Sequence, residues 1–418
     1  MADKEQISLI VLSHGLWGVE GHMDYIRKRL INRYKNSIFV LNVNVNEAKY
    51  SYDGIDVCGE RAAEQIINVI RQLEKSKRKV KKISLIGYSL GGLILRFAIG
   101  ILGERGMFDR IEPDYFITFA SPHMGVKLFD GSLRSNIFNF VSGRLVSRSG
   151  EQLQLRDRFG KKQEPIIKAL SDPDEIYFKQ LARFKIKRTY VNIANDRTVP
   201  YWSAGMELMD YFHNSKDKLD ITLDQKYTSI VTGFDYKSHH SKKKQKMNPL
   251  RHLLFILLPI YMLFGFIVIS LQGFISRHRV SNYFKHKQKL IDNRNEDDEI
   301  TQMIDSKFLA GILDIVNLPE EEDQESTMLL NGCQSDDKTY YHQVSPSPCL
   351  KEKAKQLDLD DMTRTICYNL RQLEWERVWV YLDAFNAHAT IICRQTNHTT
   401  DAGKASVQHF LDTTQFSV

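Results

Sequence analysis

The sequence predicts an α/β fold, a mostly parallel sheet with helices on both faces. Three observations predict it. Short, continuous apolar runs alternate with segments of helical spacing up to about residue 205. Several of these runs end in Gly, Ser or Asp, where a loop leaves the strand. The same alternation resumes near residue 375, after a long interruption.

Ile7–Leu12 reads as the first strand, buried on both faces because it shows no polar alternation, and it runs into Ser13-His14-Gly15. Met23–Tyr34 is the expected helix after it, and Ile38–Val45 a second strand. Ile55–Leu73 has helical spacing in Ala62, Ala63, Ile66, Ile67 and Ile70, and ends in a basic stretch. Ile83–Ile86 is a third strand and Leu93–Ile101 an apolar helix. Tyr115–Ala120, Arg188–Ala194 and Glu376–Asp383 are further strands, and Ala405–Phe416 a closing helix. Gly125–Lys187, amphipathic around Ile137–Val146, reads as a lid. Pro200–Arg371 is too long for a connection within a compact domain. The expected organisation is a core in two parts, residues 1–205 (with the lid at about 125–187) and 372–418. Between them lies an insertion at 206–371, much of whose Leu318–Leu350 stretch reads as disordered.

Gly87-Tyr88-Ser89-Leu90-Gly91 is G-x-S-x-G, directly after an expected strand and directly before an expected helix. A serine on so tight a turn points its oxygen into a cleft, and Gly87 and Gly91 let the backbone make the turn. The helix amino terminus adds partial positive charge beside a developing oxyanion. Ser89 is therefore the candidate nucleophile, in an α/β-hydrolase fold. The loop His14-Gly15-Leu16-Trp17-Gly18 follows the first strand. Its Leu16 N–H, with the Leu90 N–H, is the candidate oxyanion hole; His14 reads as orienting the loop and Gly15 as keeping the backbone approachable. In this fold the acid and then the histidine follow the serine along the chain. Asp196, just past the strand Arg188–Ala194, is the candidate acid, with Asp157 and Asp172 as rivals in the lid. His388, after the strand Glu376–Asp383, is the candidate base. His398, His409, His239 and His240 are less well placed, and His123 reads as shaping the cleft.

These motifs, with Phe119-Ala120-Ser121-Pro122-His123-Met124-Gly125, Asn195-Asp196-Arg197-Thr198-Val199-Pro200-Tyr201 and Ala387-His388-Ala389, resemble the fungal serine esterase/lipase family, which includes a yeast lipid-droplet phospholipase and a related monoacylglycerol lipase. The resemblance runs from residue 7 to about 205 and resumes near 375. It implies hydrolysis of acyl esters in phospholipids or acylglycerols, with Ser89, Asp196 and His388 as the triad. A phospholipase is the first expectation. A monoacylglycerol lipase or a lipid-protein deacylase uses the same triad. A non-catalytic lipid-binding scaffold is the alternative of another class.

Charge and hydropathy place that chemistry at a lipid surface. The formal charge is +7, concentrated in Lys237, Lys242–Lys244, Lys246 and Arg251 before a long apolar run and in Arg277, Arg279, Lys285, Lys287 and Lys289 after it. Basic residues beside an apolar segment suit lipid phosphates, and no nucleic-acid-binding signature accompanies them. The five cysteines include no CxxC pair, and Met1–Gln6 opens no secretory signal, so a reduced, cytosol-facing protein is expected. No His/Cys/carboxylate cluster has ligand spacing, so neither metal nor cofactor is implied. The run Leu253–Leu271 is long enough to span a bilayer, about 28 Å as a helix against roughly 30 Å of hydrocarbon. Yet Ser89 and Asp196 precede it and His388 follows it, so a single crossing would part the triad. Pro259 and Gly265 allow a bend. The expectation is a monotopic anchor on a lipid droplet or a cytosol-facing membrane.

Overall fold

β1 (Glu5–Ser13) begins the sheet, and its residues show why a run without polar alternation forms a buried strand. Leu9 and Val11 enter one apolar cluster, Ile10 and Leu12 another, so both faces of the strand are covered. The structure is a computed structural model that describes residues 5–129, 147–212, 219–236, 270–287, 354–395 and 399–416. β2 (Ile38–Val43), β3 (Arg78–Tyr88), β4 (Glu112–Phe119), β5 (Ile186–Asn192) and β6 (Glu376–Val380) join β1 in one sheet. The order is β2-β1-β3-β4-β5-β6, and every pairing is parallel. The α/β fold expected from the sequence is thus present.

Helix α1 (Asp24–Tyr34) covers one face, where Ile26 and Leu30 share a cluster with Val407 and Phe410 of the closing helix Asp401–Asp412. Helices α2 (Ile55–Lys75) and α3 (Leu90–Glu104) cover the other through Ile66, Ile70, Leu93 and Phe97. The chain steps from β1 outward to β2, then returns past β1 to β3 and proceeds the other way. This reversal between β1 and β3 opens a crevice at the carboxyl ends of the strands. The register aligns those ends: Ser13 lies opposite Gly87, Tyr88 opposite Phe119, and Val380 opposite Asn192.

Element boundaries differ from expectation where charge obscures burial. β3 starts at Arg78, inside the basic stretch that seemed to close α2. Val80 and Ile83 point into the core while Lys79, Lys81 and Lys82 stay at the rim. The closing helix starts at Asp401, four residues early, because the Thr400 side chain accepts the Gly403 N–H and caps it.

Within 125–187, helices Arg148–Leu153, Ile166–Ser171 and Ile176–Ala182 lay Leu153, Ile166, Ile167, Leu170 and Leu181 on the α2/α3 cluster. The amphipathic stretch Ile137–Val146 lies outside the described residues. Within 206–371, Leu219–Leu223 and Val231–Tyr236 form an antiparallel hairpin. Helix Asp361–Arg371 packs Ile366, Cys367 and Leu370 into the core, so the end of the insertion contributes to it. Leu318–Leu350 and the apolar run up to residue 269 lie outside the described residues. Among the described residues no helix is long and apolar enough to cross a membrane. By compactness the chain divides into Met1–His278 with Tyr341–Val418, and Arg279–Tyr340. Of the latter only 279–287 are described, and they are helical.

Candidate active site

Ser89 joins β3 to α3 with φ 54° and ψ −128°, a conformation an L-residue adopts only under constraint. The constraint is visible. The Ser89 N–H donates to the Phe119 carbonyl at 2.9 Å, tying the turn to the end of β4. A side chain at Gly87 would run into the Gly92 backbone, and one at Gly91 into the Ser13 carbonyl. The two motif glycines therefore let the strand, the turn and the end of β1 close on one another.

Two other crossings bring the remaining groups to Ser89. Asp196 follows β5. Its Oδ1 accepts the N–H groups of Thr198 and Val199, each at 2.9 Å, which closes a turn around the carboxylate. His388 sits in the short helix Ala387–Thr390 after β6, capped by Asn386. Its Nε2 lies 2.9 Å from Ser89 Oγ and its Nδ1 2.8 Å from Asp196 Oδ2. Beside a carboxylate Nδ1 is the donor, which leaves Nε2 to accept from the serine hydroxyl. Burial pushes the Asp196 carboxyl up, but the His388, Val199 and Asn192 donors outweigh it and hold it below the usual carboxylate range.

The loop after β1 passes directly over the serine. A Cβ at Gly15 would stand 2.6 Å from the Ser89 Cβ, so only glycine lets the backbone so close. The His14 ring lies under this loop with Nδ1 3.0 Å from the Gly15 carbonyl, and burial lowers its pKa. The Leu90 N–H occupies the first turn of α3, where no helix carbonyl reaches it. No acceptor among the described residues takes the Leu16 N–H. The elbow, Asp196 and the 14–18 loop fall within one matched sequence segment, and His388 lies outside it. Residues 3–209 match the family described as Putative serine esterase (DUF676).

Curated proteins similar to this chain match about half of it. Putative lipase ROG1 of Saccharomyces cerevisiae is 32% identical over 212 residues, 49% of this chain and 29% of its own. Putative lipase YDL109C of the same yeast is 31% identical over 210 residues, 49% and 31%. Putative lipase C4A8.10 of Schizosaccharomyces pombe is 27% identical over 207 residues, 48% and 26%. The chain thus spans less than a third of the length of these relatives. Among solved structures, Est1E from Butyrivibrio proteoclasticus aligns at 17% identity over 47% of this chain and 71% of its own, TM-score 0.27. The lin2722 gene product of Listeria innocua aligns at 16% identity over 48% and 77%, TM-score 0.29.

The rival residues have other partners. Asp157 Oδ2 accepts the Ile166 N–H, and Asp172 pairs with Lys162. His409 is buried against the Tyr190 hydroxyl at 2.9 Å. His123 does not shape the cleft: it is buried, with Nε2 2.9 Å from Thr118 Oγ1 and its ring against Trp375. His239, His240 and His398 lie outside the described residues.

Two supports of the site have no sequence signal. Tyr88, the residue before Ser89, donates from its hydroxyl to the His388 carbonyl at 3.0 Å. Asn192, the last residue of β5, donates from Nδ2 to Asp196 Oδ2 at 3.1 Å and to the Ala387 carbonyl at 3.2 Å. It fixes the acid and the histidine loop to each other. Asn192→Ala removes one donor from Asp196 Oδ2 and one from the Ala387 carbonyl, which keeps the Ile391 N–H. We expect a stability loss of about 1–2 kcal/mol. We also expect kcat on a soluble ester to fall about tenfold with KM unchanged, since the geometry of the relay and not the binding of substrate is loosened. Thermal melts and steady-state kinetics check both.

Proposed function

We propose that the chain is a serine ester hydrolase acting on acyl esters of membrane or lipid-droplet lipids, phospholipids first. The observation that carries this reading is the hydrogen-bonded relay from Ser89 through His388 to Asp196, with Ser89 on a strained turn. Ser89 Oγ attacks the ester carbonyl while His388 Nε2 takes its proton. Asp196 holds Nδ1–H and stabilises the imidazolium. The Leu16 and Leu90 N–H groups receive the oxyanion. Collapse expels the alcohol, protonated by His388, and leaves an acyl group on Ser89. Water, deprotonated by the same imidazole, then releases the fatty acid and restores the serine.

The curated relatives are named as lipases, which supports a lipid ester. Product profiles of purified wild type against Ser89→Ala test the reading. Fatty acid plus lysophospholipid is the expected result. Glycerol from monoacylglycerol, or free thiol from an S-acylated peptide, would move the substrate while keeping the mechanism. No labelling of the wild type by a fluorophosphonate would favour the scaffold.

The location proposed is monotopic, on a lipid droplet or a cytosol-facing membrane, through the apolar run 253–271 and its flanking Lys/Arg. The support is the relay itself. Ser89 and His388 belong to one site, so the chain before and after the run returns to the same side. Deleting 253–271 should release the protein into the soluble fraction and leave hydrolysis of a short-chain ester intact. Membrane association that survives the deletion would refute the anchor.

A further inference from the structure

Residues 270–278 are helical, and their burial runs opposite to that of a helix facing water. Small residues face inward: Gly273 and Ser276 are buried, and Ser276 Oγ donates to Asp53 Oδ1 at 2.7 Å. Large apolar residues face outward: Leu271 is 58% exposed, Phe274 71% and Ile275 42%. A helix on a wetted surface turns its large apolar residues toward the protein. The reversed arrangement is stable when the medium outside is itself apolar.

The inward face ties this helix to the rim of the Ser89 site. Asp53, which holds Ser276, is also paired with Arg61 at 2.9 Å. The turn Ala48–Tyr52 just before it supplies Ser51, whose Oγ accepts the Trp17 N–H at 2.9 Å. Trp17 directly follows Leu16 of the oxyanion loop. Its ring meets Tyr52 at 5.7 Å and is 49% exposed, whereas Trp202, Trp375 and Trp379 are buried.

We infer that the face bearing Trp17, Leu271, Phe274 and Ile275 docks onto an anionic lipid surface, with the mouth of the Ser89 site turned toward it. Three features select a lipid surface over a protein partner. The apolar run from 253 leads straight into this helix. Lys242, Lys243, Lys244 and Arg251 before the run, and Arg277 after it, match anionic headgroups. An exposed tryptophan on the rim has the amphipathic ring favoured at a membrane–water boundary. The inference rests on the proposed function only in naming that mouth as the entrance for substrate.

Trp17 is its own reporter. The full chain is bound to phosphatidylcholine/phosphatidylserine vesicles with and without bromine on the acyl chains, and tryptophan emission is compared. Brominated lipid should quench a component that Trp17→Phe lacks. In the double variant Phe274→Ser, Ile275→Ser the protein can stay bound through 253–269, yet the Trp17 component should lose its quenching. Equal quenching of wild type and Trp17→Phe on bound protein would overturn the inference. So would a Trp17 emission already blue-shifted without vesicles, whether from a second copy, seen by sedimentation, or from another segment of the same chain. A soluble short-chain ester assayed in parallel separates the two readings. Hydrolysis with Trp17 unquenched defeats the docking face alone, and quenching without hydrolysis defeats the esterase alone.

Discussion

Ser89→Ala is expected to abolish fluorophosphonate labelling and to lower kcat on a soluble ester by roughly 10⁴–10⁶-fold. Loss of the nucleophile leaves His388 with no proton to take and no acyl-enzyme to form. What persists is the modest rate that oxyanion donors and binding give to water. A second replacement separates chemistry from strain. Ser89 holds φ 54° and ψ −128°, where any Cβ is crowded. Ser89→Ala and Ser89→Gly remove the same hydroxyl and the same contact to His388, but only glycine also relieves the backbone. Ser89→Gly should therefore be more stable than Ser89→Ala by about 1–2 kcal/mol, with both inactive. Denaturant unfolding of the two variants measures the difference. Equal stabilities would mean that the turn stores no strain.

The parts of the site that could be read from the sequence are those that are local in the chain. Gly87–Gly91 carries strand end, turn and helix start in five residues, and the topology puts that turn at the switch point between β1 and β3. Asp196 and His388 could be named because each follows an apolar run that ends at the same edge of the sheet. Asn192 and Tyr88 could not. Their contacts join residues about two hundred and three hundred positions apart, and neither residue type in its place announces a partner. The start of β3 was obscured for a different reason: its lysines lie at the wetted amino end of the sheet, where a strand keeps charge without leaving the sheet. Helix Asp361–Arg371 has a clear apolar face, but only the fold supplies the surface at Met206, Trp375 and the α2/α3 cluster on which it packs.

Asp196→Asn is the sharper test of the relay, because it changes one atom and keeps the shape. Both carboxylate oxygens are fully engaged: Oδ1 by two backbone N–H groups, Oδ2 by His388 Nδ1 and Asn192 Nδ2. An asparagine has one acceptor oxygen, and the two backbone donors of the turn claim it. The amide NH2 then faces His388, whose Nδ1 must become the acceptor, so the imidazole proton moves to Nε2. In that tautomer the ring donates toward Ser89 and cannot take its proton. A fall in kcat of about 10⁴-fold follows, with KM little changed and Ser89 still in place. The same carboxylate sets a pH dependence of stability. Its folded pKa lies below the unfolded value, so its contribution is complete above the ordinary aspartate range and is lost as pH falls through the folded pKa. Wild type should therefore lose stability on acidification below about pH 4 more steeply than Asp196→Asn, which has no carboxyl to protonate. Parallel curves for the two proteins in chemical unfolding between neutral and acid pH would mean that the His388, Val199 and Asn192 donors do not hold the charged form.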